Sequence, residues 1–192
     1  MKYVISSPSR TGSTLLYQIL NSADILDVLH THNCLFSVED PANTVLLFSL
    51  RRDLFRSIMS CLIGKRTQLF HLYDADTELP DIEPFSIECL DLESEFQKQY
   101  RWHKWYVPSH DLNRPYSQVE TFYLEDFVND YSVVYKTLGL VQQHTVVATQ
   151  ENKYRYQDLV VNHEQCRAVF DQLETTAVFV PILKAYDPNL PN

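Results

Sequence analysis

The sequence predicts an α/β fold, a three-layer α/β/α arrangement with a central parallel sheet, and three observations predict it. Tyr3-Val4-Ile5 is a short apolar run that passes directly into a turn of small residues and then into Ser13-Thr14-Leu15-Leu16. Residues 44–50, Thr-Val-Leu-Leu-Phe-Ser-Leu, form the continuous apolar run of a strand buried on both faces. Strand-like runs then recur near 119–123 and 145–149, with helical stretches between them. Strands alternating with helices pack as a parallel sheet joined by helical crossovers.

The first strand spans residues 3–6. The turn after it, Ser6-Ser7-Pro8-Ser9-Arg10-Thr11-Gly12, leads into a helix. A strand–turn–helix of this kind aims several backbone N–H groups and the positive end of the helix dipole at one spot, where an anion such as a phosphate binds. Arg10 adds a fixed positive charge, and Ser13 and Thr14 add hydroxyl donors. The ATP/GTP pattern G-x-x-x-x-G-K-[ST] is absent, since no Lys follows Gly12 and no Gly lies five residues before it. The dinucleotide pattern G-x-G-x-x-G also fails, because the only glycines are Gly12, Gly64 and Gly139.

Next comes Val28-Leu29-His30-Thr31-His32. An imidazole accepts a proton near neutral pH, so His32 is a candidate general base, with Glu39 and Asp40 as carboxylate substitutes. A histidine pair can also bind metal. No further His or Cys lies at ligand spacing apart from Cys34, so no metal is expected.

After the second strand, Arg51-Arg52-Asp53 precedes a helix over 54–63. Asp53 is the expected N-cap and Gly64 the residue after the C-cap, giving a helix of roughly 15 Å. Leu54, Ile58, Cys61 and Leu62 form its apolar face. Arg51, Arg52 and Arg56 are either a solvated basic face or part of an anion site. Asp53 is also the nearest carboxylate that a magnesium-dependent nucleotide site would use.

Nine acids and no Lys or Arg lie between Thr67 and Gln97. With Pro80 and Pro84 inside it, the first half of this stretch is expected to be irregular. Residues 93–106 then read as a helix in which Phe96, Tyr100 and His103 share one face and Trp102, Trp105 and Tyr106 broaden it. In the C-terminal third, Asp130 is expected to cap a helix over 131–138 that Gly139 stops. Asn162 with Gln165 approximates a capping box before a helix carrying Cys166, Val169, Phe170 and Leu173.

The 192 residues suffice for a single domain, 1–192, with a sizeable core. A net charge of −9 argues against general nucleic-acid binding. No stretch approaches the roughly 20 apolar residues of a membrane span, and the N-terminus lacks a charged-then-apolar signal segment. Cys34, Cys61, Cys89 and Cys166 form no close pairs. A cytoplasmic protein with reduced thiols is the expectation.

Arg10-Thr11-Gly12-Ser13-Thr14-Leu15-Leu16 resembles the 5′-phosphosulfate loop of sulfotransferases that use 3′-phosphoadenosine 5′-phosphosulfate (PAPS), with Ser9 as an extra residue between Pro8 and the basic position. Arg52 and Ser60 have the spacing of that family's 3′-phosphate pair, an Arg at a strand end and a Ser eight residues on. His30-Thr31-His32 resembles its Lys-Thr-His segment, with His30 in place of Lys. Leu124-Glu125-Asp126 resembles its Tyr-Glu-Asp segment, with Leu124 in place of Tyr. The resemblance covers residues 3–64 well and 119–140 loosely.

The resemblance implies a P-loop-NTPase-like sulfotransferase fold in a short member of the family. It implies in-line transfer of a sulfuryl group from PAPS to a hydroxyl or amine, without a metal. In that reading Ser9, Arg10, Thr11, Gly12, Ser13 and Thr14 hold the 5′-phosphosulfate. Arg10 also stabilises developing charge, Arg52 and Ser60 hold the 3′-phosphate, and His32 is the base. The partners implied are PAPS, its product PAP and an acceptor, whether carbohydrate, lipid, phenol or peptide. His103 is a reserve acceptor-site residue, and Lys153 and Arg155 would stand in for the family's C-terminal basic segment. The acidic stretch is then a lid bordering the acceptor site, or else a solvated loop. Two further classes remain beside this one: a non-catalytic PAPS- or PAP-binding relative, and an atypical P-loop nucleotide phosphotransferase.

Overall fold

A computed structural model describes residues 1–33, 36, 38–68, 81–108, 116–146 and 156–176. Strands β1 (Lys2–Ser6), β2 (Val28–Thr31), β3 (Thr44–Leu50) and β4 (Gln118–Tyr123) form one sheet in the order β2-β1-β3-β4. Every pairing is parallel. The helices are α1 (Ser13–Asn21), α2 (Leu54–Thr67), α3 (Cys89–Arg101), α4 (Leu124–Phe127), α5 (Ser132–Leu138), α6 (Tyr156–Leu159) and α7 (His163–Thr176). A 3₁₀ turn over Pro41–Asn43 leads into β3, and a π turn over Trp102–Tyr106 continues α3.

The central strands β1 and β3 are apolar on both faces because both faces are covered. Tyr3, Ile5, Val45, Leu47 and Phe122 pack against Leu16 and Ile19 of α1, Phe127 of α4 and Val134 of α5. The intervening residues Val4, Leu46, Phe48 and Leu50 face the other way, onto Trp102 and Val107. A further cluster joins α2, α3 and α7 through Ile58, Met59, Leu92, Phe96 and Phe170. The predicted α/β class with a central parallel sheet is therefore the observed one.

β2 was not among the runs that read as strands. It occupies the sheet edge and its residues are only half-buried or exposed, so it lacks the apolar run that marks β3. Of the run at 145–149, Thr145 and Val146 belong to no strand; the remainder lies outside the described residues, as do Pro80, Lys153 and Arg155.

Three helix boundaries differ from expectation. α2 continues through the buried Gly64 to Thr67 and ends on Gln68, whose φ of 60° supplies the left-handed cap. Gly64 lies in the buried interior of the helix, where the entropic cost of a helical glycine is only about 1 kcal/mol. Near 102 the expected single helix becomes a π turn, which sends Phe96 and Tyr100 into the α2–α3–α7 cluster and Trp102 onto the sheet. The Asn162 side chain does not close a capping box. Its amide accepts from Ile87 N at 3.0 Å and donates to Ile87 O at 2.9 Å, tying the chain before α3 to the start of α7. The caps at Asp53, whose carboxylate accepts from Arg56 N, and at Gly139, with φ 65°, are as predicted.

Candidate functional site

Chain order fixes where a ligand crevice forms. β1 is followed by a crossover to β2 on one side, and β3 leads to β4 on the other. Their carboxyl ends are therefore the switch point of the sheet, where open α/β folds place ligands. The β1–α1 loop and Arg51-Arg52-Asp53 both lie at that edge.

The loop is held from its inner side. Thr11 is buried, with its hydroxyl donating to Pro8 O at 2.9 Å, and Ser49 of β3 donates to Thr11 O at 2.9 Å. Ser57 of α2 lies 3.5 Å from the carbonyls of Ser9 and Arg10. Arg10 adopts φ 67°, a left-handed conformation that costs a non-glycine residue about 1–2 kcal/mol. Gly12 follows at φ 86°, and a β-carbon there would come within 2.5 Å of Leu124 Cδ1. The first intrahelical bond of α1 runs from Leu16 N to Gly12 O, so the N–H groups of Ser13, Thr14 and Leu15 have no acceptor within the helix. Ser13 is buried at the helix start, while Ser9 and Thr14 are half-buried. The resulting cradle of N–H groups is cationic through Arg10.

Arg10 Nε donates to Ser60 Oγ at 2.9 Å. Two segments fifty residues apart thus meet directly, and Ser60, 8% exposed on α2, keeps its own hydroxyl proton to donate.

Arg52 has different partners. Its two terminal nitrogens donate to the two oxygens of Asp126, the NH2–Oδ2 bond measuring 2.7 Å. Its guanidinium lies over the Tyr123 ring, 4.4 Å from the centroid. The hydrogen bonds that Arg52 donates to Asp126 raise the Arg52 pKa and, in return, hold the Asp126 carboxyl below its usual range. Glu125 accepts from the backbone N–H of Arg52 at 3.1 Å and of Asp53 at 3.4 Å, and sits 3.6 Å from Arg51 Nε. The acidic pair after β4 therefore organises the basic pair after β3. Because Leu124 lies against Gly12, this cluster is beside the β1 loop rather than across the molecule from it.

His32 follows β2 at the same edge. Its Nδ1 is 2.9 Å from Ser7 O. A carbonyl can only accept, so Nδ1 carries the proton and the lone pair of neutral His32 falls on Nε2. Ser7 N in turn donates to Thr31 O at 3.1 Å, fixing the loop against β2. His30 touches His32 edge-to-face, with centroids 4.8 Å apart. His103 is half-buried beside Tyr123; burial, reinforced by Lys104 and opposed by Glu125, lowers its pKa and favours the neutral ring.

Asp40 sits elsewhere. It caps the 3₁₀ turn before β3, accepting from Asn43 Nδ2 at 2.7 Å, at the amino edge of the sheet opposite the loop. It is correspondingly remote from the place a base would be needed. Asp53 is engaged as the cap of α2.

No protein-family model and no curated protein matches this chain.

The sequence-predicted residues Ser9–Thr14, Ser60, Arg52 and His32 all come to the carboxyl edge or the helix flanking it. Arg52 and Ser60, the two residues expected to hold a 3′-phosphate, make different contacts here, Ser60 with Arg10 and Arg52 with Asp126. Tyr123, Glu125 and Asp126 were not assigned roles at the site. Their signal was an acidic pair placed at a strand end facing a basic pair at the end of another.

Proposed function

We propose that this chain is a sulfotransferase-like enzyme, with a fold of the P-loop-NTPase-like sulfotransferase type, that moves a sulfuryl group from PAPS to a hydroxyl or amine acceptor. The observation that carries the reading is the Arg10–Ser60 hydrogen bond. Each segment resembles one half of a site for adenosine phosphorylated at both its 5′ and 3′ positions, and the bond brings the halves together at the switch point of the sheet.

The residues present suit such a ligand. The α1 N–H groups, the Ser13 and Thr14 hydroxyls and Arg10 would hold the 5′-phosphosulfate. Ser60 would donate to the 3′-phosphate, and Arg52 would offer it a planar two-point donor. PAPS, when bound, supplies the sulfuryl group on a phosphate leaving group. Arg10 offsets negative charge that develops near the bridging oxygen, as preorganised cations do in phosphoryl transfer. His32 accepts the acceptor's proton at Nε2, with Ser7 O holding the ring by its other nitrogen.

Calorimetric titration with PAP, ADP and ATP in EDTA tests the reading. PAP is expected to bind most tightly, without divalent metal. Equal or tighter binding of ADP or ATP overturns it.

A further inference from the structure

Glu125 and Asp126 are adjacent carboxylates with different tasks. Glu125 reaches two backbone N–H groups and the Arg51 side chain, contacts that fix the chain after β3. Asp126 instead aligns both oxygens with both terminal nitrogens of Arg52, the two-point geometry by which a guanidinium binds a phosphate. The pair is open to solvent, with side-chain exposures of 53% for Arg52 and 43% for Asp126. An ion pair that exposed is weakly stabilising, so a more highly charged anion can displace one member of it. Tyr123 stacks on the flat face of the guanidinium and leaves its edge as the binding element.

We propose that Asp126 is a built-in competitor for the 3′-phosphate: it occupies the Arg52 fork in the unliganded protein and yields it to the nucleotide. The proposal rests on the PAPS reading above. Asp126 then sets how tightly the 3′-phosphate is held and how readily spent PAP leaves, because its carboxylate rebinds Arg52 as the phosphate departs. The Tyr123 ring and the Glu125 bonds keep Arg52 at the strand end throughout the exchange.

The test is calorimetric titration of the 192-residue chain and of its Asp126→Asn variant with PAP and with 5′-AMP, which lacks the 3′-phosphate. Losing one exposed competing charge is expected to tighten PAP by about three- to fivefold and to leave 5′-AMP unchanged. Asp126→Glu, which restores a carboxylate, should return PAP affinity toward that of the parent. Thermal unfolding of each unliganded variant runs alongside to show that the fold is intact. If the parent prefers PAP to 5′-AMP but Asp126→Asn binds PAP equally or more weakly, Asp126 merely positions Arg52 and the competitor role is wrong while the PAPS reading stands. If the parent shows no preference for PAP, both fall.

Discussion

Leu124 fills the space that a side chain on Gly12 would need, its Cδ1 lying 2.5 Å from the position of a Gly12 β-carbon. The relationship ties the turn after β1 to the segment after β4, and so couples the Ser9–Thr14 loop to the acidic pair that holds Arg51 and Arg52.

Gly12→Ala meets two penalties, a left-handed backbone at φ 86° and the clash with Leu124. Together these should cost about 2 to 4 kcal/mol, read as a lower urea midpoint at unchanged slope. Adding Leu124→Ala should recover the steric part only, so the two changes will be non-additive. Strict additivity would remove the contact from the explanation.

Arg10→Ala should unfold at nearly the parental temperature, since the side chain is only half-buried and the residue is already in an unfavourable backbone conformation. PAP binding, however, should fall by at least about tenfold, a loss typical of a charged hydrogen-bonding partner. Ser60→Ala should give a smaller loss, because Arg10 keeps its charge but not its alignment. Calorimetry on both variants checks the order; unchanged affinity in Arg10→Ala removes the cradle.

His32→Gln should retain PAP affinity and lose turnover by about 10²- to 10⁴-fold, the usual contribution of a positioned base. A paired measurement of binding and of sulfuryl transfer separates the two. Loss of binding with no separate loss of turnover would reassign His32 from base to scaffold.

The buried Glu95 gives a pH-dependent prediction away from the site. Burial alone would raise its pKa from 4.5, but Lys65 Nζ at 2.7 Å and the Gln99 amide at 3.1 Å outweigh it and lower the value. A depressed acid contributes stability above its unfolded pKa and loses it as pH falls through the folded one. Lys65→Met removes the main counter-charge, so burial should dominate and push the Glu95 pKa above its unfolded value. The variant should lose about 1 to 3 kcal/mol near pH 7, and its deficit should narrow toward about pH 4 as Glu95 is protonated. Urea denaturation at the two pH values reads this directly. A deficit independent of pH would mean that lost packing, not charge, is responsible.

Much of the fold was legible because β1 and β3 are apolar on both faces and each runs straight into a polar turn. β2 was hidden because an edge strand with half-buried residues carries no such run. The π turn at Trp102 was hidden because the aromatic spacing fits an α-helix equally well; in the fold Trp102 packs on Phe48 of β3, whereas Phe96, earlier in α3, packs on Phe170 of α7. At the site, the loop and the Arg52–Ser60 spacing were readable as local patterns. The contacts these residues make were not, since Arg10–Ser60 and Arg52–Asp126 join residues 50 and 74 positions apart. Only the tertiary arrangement decides between neighbours of equal chemistry.

The strand that leads into His32, β2, lies at an edge of the sheet and is the shortest of its four strands among the described residues. Its amide protons should therefore exchange with deuterium sooner than those of Leu46 or Phe48, which are sandwiched between two neighbours. When that border frays, the Ser7 carbonyl loses hold of the imidazole. Alignment of the proposed base and local melting of the margin are then one equilibrium, and warming would disable proton removal well before the molecule as a whole unfolds.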